Sequence, residues 1–180
     1  MARSKKTNSL PEIYDLIIKA EPLPDEDPIA FDHLRQAFFA DLSPATPYET
    51  SLVEQIINLE WETQRTRRLS NMTLVRAFGE AATEVFHEYD LDDAQELGQS
   101  LINPNADHRE IAEAALVQIG IAKTGVMANA YFLAQDALEL FDRKIMNLER
   151  RRRQLFSDFQ ALKGARKKHQ VSIEDAEVTE

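Results

Sequence analysis

From Met127 to Leu162 the apolar residues recur at alternating spacings of four and three: Met127, Tyr131, Ala134, Leu138, Phe141, Ile145, Leu148, Arg152, Leu155, Phe159 and Leu162. That pattern predicts one long helix with a narrow apolar seam. Neither proline nor glycine interrupts it. Arg152 is the single charged seam position, and it lies within the run Arg150-Arg151-Arg152-Arg153. A seam of this length requires cover from another helix or another chain.

The rest of the chain also reads as helix. Ser9 or Asn8 can cap a first helix that carries Ile13, Leu16, Ile17 and Ala20 on one face. Glu21 to Pro28 holds three prolines and four acids, the composition of an extended connector. Asp27 as cap and Pro28 as first residue open a second helix to Leu42, with Phe31, Leu34, Phe38, Phe39 and Leu42 as its stripe. Thr46, Pro47 and Glu49 give the signature of a capping box and start a third, long helix toward Asp90. Leu52, Ile56, Leu59, Thr63 and Thr66 line its buried side. Val53, Ile57 and Trp61 widen that side, and Leu69, Met72, Val75 and Phe78 are expected to continue it. Asp92 is expected to cap a short helix to Ile102. Another starts near Asp107, with Ile111, Ala114, Ala115, Val117 and Ile119 expected inside. Whether that helix stops at Gly120–Gly125 or runs into the last one is open from sequence. Gly164 is a candidate end for the last helix.

The third and last helices are each about 60 Å long at 1.5 Å per residue. The simplest arrangement is all-α: a long antiparallel, coiled-coil-like hairpin with the shorter helices packed against it. Setting Asp90 level with Met127 puts Arg67 level with Arg150. The expected boundaries are a flexible basic arm at 1–9, a single all-α domain at 10–165 and a disordered tail at 166–180.

Composition narrows the classes. An apolar share of 43% in 180 residues can fill a core, and five glycines are few for an all-β chain. Cysteine is absent, which excludes disulfides, thiolate metal sites and a cysteine nucleophile. No secretory signal pattern is visible, and no apolar run is long enough to span a bilayer. The expectation is a cytoplasmic protein with no membrane partner. The net charge of −10 argues against wrapping nucleic acid over the whole surface. From Arg143 to Lys168, however, ten Lys and Arg stand against only Glu149 and Asp158.

That asymmetry supplies the candidate site. Under the expected register, Arg65, Arg67 and Arg68 share a height with Arg150, Arg151 and Arg153, with Trp61 nearby. Such a group can bind phosphate or carboxylate, and an aromatic can stack a base. The competing reading makes Arg152 and Glu62 a structural polar seam, with Arg152 paired to Glu60, Glu62 or Glu149. Catalytic patterns fail. His33, His87, His108 and His169 are scattered, and Glu84-Val85-Phe86-His87 occurs once where a di-iron bundle needs two such motifs. Asp90, Asp92 and Asp93 lack the glycine and distal glutamate of a calcium loop. No catalytic residue, metal or cofactor is expected.

Phe31, Leu34, the run Leu42-Ser43-Pro44-Ala45-Thr46-Pro47, then Glu49, Leu52-Val53-Glu54, Trp61, Arg65 and Arg68-Leu69 resemble a group of uncharacterised bacterial helical proteins. These end in a helix of the style Leu148-Glu149-Arg150-Arg151 followed by spaced Leu and Phe. This chain lacks the basic Lys-His-Gly-Leu stretch with which many of them begin. The resemblance implies the helical architecture and carries no activity. The expected function is a non-enzymatic helical scaffold or adaptor acting on a protein partner or on itself. The alternative is a nucleic-acid-associated accessory protein that binds phosphate through the arginine patch.

Overall fold

The computed structural model describes residues 21–177, with side chains to residue 167. The expected basic arm and first helix lie outside the described residues. Five helices follow, with no strand among the described residues: α1 Pro28–Leu42, α2 Pro47–Glu88, α3 Ala94–Leu101, α4 Ala106–Gln118 and α5 Lys123–Glu177. The fold is all-α, and α2 packs against α5 as a helical hairpin.

Local chemistry sets most of the boundaries. The Asp27 carboxylate accepts from the Ile29 N–H at 2.8 Å, ahead of Pro28 at the first turn. Ser43 ends α1 in the left-handed region at φ 46° and donates its N–H to Phe39 O. Thr46 Oγ1 accepts from the Glu49 N–H at 3.1 Å. The return bond of the expected capping box lands one residue early, with Ala45 N–H donating to Glu49 Oε2 at 2.7 Å. Gly79 does not break α2. The helix ends where Asp90 turns left-handed at φ 54° and Leu91 N–H reaches back to Phe86 O. Gly120, at φ 74°, closes α4 in the same way through Ile121 N–H and Leu116 O. The chain then bends by 102° into α5. The helix before Gly120 therefore stops.

Several boundaries differ from expectation. The cap of α3 is Asp93 rather than Asp92, and its side chain makes no capping bond. Asn105 caps α4 by accepting from the Asp107 N–H. Gly164 is passed over, because a helix tolerates glycine at modest cost. α5 continues through 166–177, where a disordered tail is expected.

The residues expected to share one domain carry two separate clusters of buried side chains. The chain divides accordingly into two compact units. One joins α1, α2 up to Thr63 and α5 from Asn147; the other is Gln64–Met146. The first, the α1 unit, buries Phe31, Leu42, Leu52, Val53, Ile56, Ile57, Trp61 and Phe159. Leu34, Phe38, Phe39 and Leu155 pack around them. This matches the expected stripes of α1 and of the first half of α2.

The second, the α3–α4 unit, departs from expectation. Its core is Ala77, Ala81, Ala82, Val85, Phe86, Ala94, Leu101, Ala112, Leu116, Val126, Ala130 and Ala134. Leu69, Met72 and Val75 were expected inside but are exposed, as are Ile111 and Val117. The seam of α5 is rotated at its start. Val126 and Ala130 are buried in place of Met127 and Tyr131. At its other end Leu162 is exposed and Lys163 turns inward. The reason is small side chains. Alanines draw helices close, so the line of closest approach passes through them and the larger neighbours are turned outward.

Candidate interaction surfaces

Three glutamates of α2 are each paired with an arginine from another helix of the α1 unit. Glu54, buried among Val53, Ile56 and Ile57, accepts from Arg35 of α1 through Nε at 3.0 Å and through Nη2. The Arg35 guanidinium is held above its ordinary pKa by its bond to Glu54. Partial burial works against this, while the charges of Glu54 and Asp32 reinforce it. Buried Glu49 receives Arg166 of α5 at 2.9 and 3.0 Å. Glu60 pairs with Arg152. Lys163 Nζ donates to Leu42 O at 2.9 Å, placing a cation on the carbonyl end of α1.

The Glu60–Arg152 pair settles the register in this unit. The expected alignment sets Arg152 against Arg65. The observed partner is more than one helical turn away, because the pairing follows the apolar core of Phe159 with Leu52 to Ile57 rather than the loop end of the hairpin. Arg152 thus sits in the polar seam with Glu60, while Glu62 is half-buried beside Trp61. Trp61 is not a stacking platform. It is buried, Phe31 meets it edge-on at 5.2 Å, and its Nε1 donates to Glu26 Oε2 at 2.7 Å.

The seven candidate arginines divide between the units. Arg65, Arg67 and Arg68 belong to the α3–α4 unit, with Arg65 half-buried and the other two exposed. Arg150, Arg151 and Arg153 belong to the α1 unit and are exposed. Arg153 Nε donates to Glu149 O. Arg152 and Arg153 also border a hollow of about 320 Å³ floored by Phe38, Ile56 and Phe156.

In the α3–α4 unit, α2 and α5 pack through Ala77 and Ala134, and a groove runs on either side of that contact. One groove, about 570 Å³, has Ser70, Asn71 and Leu74 on α2 and Tyr131, Phe132, Gln135, Leu138, Glu139 and Asp142 on α5. The other, about 230 Å³, is lined by Thr73, Arg76, Ala77, Glu80, Leu133, Ala134 and Ala137. At 3.6 residues per turn, Leu133 and Gln135 lie about 100° to either side of Ala134, which is why they fall in different grooves.

Sequence reasoning missed Arg35, and it missed the partners that Lys163 and Arg166 find within the fold. A signal was present: Glu54 stands inside the apolar run Leu52-Val53-Glu54-Gln55-Ile56-Ile57, and a carboxylate there needs a cation. Among the described residues, no group of three or more His, Asp and Glu is placed to hold a metal ion. No single helix among them is long and apolar enough to cross a membrane. No family model, curated protein or solved structure matches the chain.

Proposed function

We propose that the protein is a non-enzymatic helical scaffold or adaptor that works by association along its long helices, with a protein partner or with itself. The observation that carries this reading is the outward turn of large apolar side chains in the α3–α4 unit. Leu69, Met72 and Val75 on α2 and Phe132, Leu133 and Leu140 on α5 are all exposed. Large apolar side chains left exposed in this number mark candidate sites of protein association. Light scattering of the purified chain across a concentration series, at low and high salt, tests it. A salt-resistant oligomer, or a protein partner retained at high salt, supports the reading. A monomer at high concentration removes self-association.

The alternative is binding of nucleic acid. Its support is the exposed basic row Arg150, Arg151, Arg153 and Lys167 on α5. If several phosphates are contacted, log affinity falls steeply with log salt. Absence of binding to DNA and RNA at low salt ends this alternative.

A further inference from the structure

We infer that two copies of this chain pair through the side of the α3–α4 unit that carries Leu133 and Leu140, with α5 running antiparallel to the partner's α5 about a two-fold axis at Leu140. The inference rests on the association reading above and names its partner and its face.

The two sides of the Ala77–Ala134 contact differ in what they can pair with. On one side Leu133, Ala137 and Leu140 follow the four-three spacing of a coiled-coil seam, yet Leu133 is 47% and Leu140 62% exposed. Leu69 and Met72 of α2 are 45% and 67% exposed, and at 3.6 residues per turn they precede Thr73 and Arg76 of this groove by one turn on the same side of α2. These four side chains offer roughly 400 Å² of apolar surface, within the range of the largest patch on a typical monomer. That is about half of what each partner contributes to a standard interface, and the polar residues flanking the stripe extend it. The opposite side presents Glu139 and Asp142 beside Gln135 and Asn71. Pairing that side with its own copy would set carboxylate against carboxylate, which is unfavourable.

Charge decides for a second copy over an unrelated protein. Asp136 precedes Leu140 by one turn and Lys144 follows it by one turn. A two-fold axis at Leu140 sets Asp136 against the partner's Lys144, and Lys144 against the partner's Asp136. It also sets the small side chain of Ala137 against the partner's Arg143, leaving room for the arginine stem. An isologous interface needs this kind of self-complementary arrangement. An interface with a foreign chain gives no reason for the two signs to be placed symmetrically about one leucine.

The chain has no cysteine, so a single introduced thiol reports its own neighbourhood. The test compares full-length Leu140→Cys with Met146→Cys, an exposed residue of α5 on the other side, after mild oxidation at micromolar concentration. Light scattering of the unmodified chain runs in parallel. Covalent dimer is expected from Leu140→Cys and not from Met146→Cys, because a disulfide needs Cα atoms about 4.4–6.8 Å apart. Asp136→Lys is expected to weaken dimerisation roughly tenfold, and adding Lys144→Asp to restore it. Circular dichroism verifies that each exposed-site variant is folded. A dimer in solution without a Leu140→Cys crosslink overturns this pairing and leaves self-association standing. A monomer at all concentrations overturns the pairing and self-association together.

Discussion

The two units use the same pair of helices in opposite ways. In the α1 unit, α2 and α5 hold large side chains between them, Ile56, Ile57, Trp61 and Phe159, and α1 adds Phe31. Three carboxylates of α2 stand beside this core, each met by an arginine from another helix. In the α3–α4 unit seven of the twelve residues of the buried apolar cluster are alanine, and large residues of the same two helices remain outside. A wide, filled contact consumes its own apolar side chains. A close, alanine-lined contact leaves them for something else. The exposed large apolar side chains of the α3–α4 unit are the surface on which the proposed association rests.

Two phenylalanines of α5 put the contrast to its strongest test. Phe159 is fully buried in the α1 unit, and Phe132 is 78% exposed in the other. Phe159→Ala is expected to cost about 4 kcal/mol in urea unfolding, the range for a large aromatic lost from a core. Phe132→Ala is expected to cost under about 0.5 kcal/mol. Equal costs would mean that the two units are packed alike. The single tryptophan, Trp61, reports the α1 unit alone, whereas circular dichroism reports all the helices.

Next in size is the Arg35–Glu54 pair. The Glu54 side chain is 2% exposed and that of Arg35 31%. Arg35→Ala strands a buried carboxylate, and about 3 kcal/mol is expected to be lost at neutral pH. Glu54→Gln is expected to cost less, about 1–2 kcal/mol, because the released guanidinium can turn toward water. A reversed order in denaturant midpoints would show that the cation is the more confined partner. Since the folded pKa of Arg35 is raised, its contribution is fully present below the ordinary arginine pKa. It fades only as pH climbs through the raised value, so it is constant across the working range.

In the α3–α4 unit the sensitive point is a close helix crossing rather than a large side chain. A Cβ on Gly98 of α3 would overlap Thr83 Oγ1 and come within 2.9 Å of both Gly79 O and Thr83 N on α2. Backbone atoms cannot step aside, so Gly98→Ala is expected to cost about 2 kcal/mol, an overpacking effect. The loss should be visible by circular dichroism. An unchanged midpoint would mean that α3 can be lifted from α2 freely.

Legibility in the sequence follows the same division. Where large apolar residues face inward, spacing alone finds them: the stripe from Leu52 to Thr66 is buried as read, and the α1 stripe packs on the core with Phe31 and Leu42 buried and Leu34, Phe38 and Phe39 half-buried. Where alanine faces inward, a pattern that ranks Leu, Met and Val above Ala points the wrong way. Leu69, Met72, Val75, Met127 and Tyr131 were therefore placed inside while Ala77, Ala81 and Ala130 took their positions. Register was misjudged because it was counted from the loop end. The buried carboxylates Glu49 and Glu54 and the half-buried Glu60 fix it through Arg166, Arg35 and Arg152 on other helices. Of the candidate site, Arg152 is legible as a seam residue. Trp61 was read both on the buried side of the third helix and beside the arginines; it lies in the core, where Phe31 and Glu26 reach it from a distant part of the chain.

The smallest expected effects decide whether the two units are also two cooperative units. Gly125 and Gly164 are both helical, one in each unit, and a Cβ added at either meets nothing within 4 Å. Alanine should therefore stabilise each helix by up to about 1 kcal/mol, less at Gly125 because it lies in the first turn of α5. Gly164→Ala is expected to raise the urea midpoint seen by Trp61 fluorescence. Gly125→Ala is expected to raise the midpoint of the remaining circular-dichroism change while leaving the tryptophan signal where it was. If either substitution moves both signals by the same amount, α2 and α5 transmit stability along their length and the chain unfolds as one. The difference between the two cores would then be one of packing alone. Separate movement would show that a region built around alanine can open while the one built around Trp61 and Phe159 stays folded.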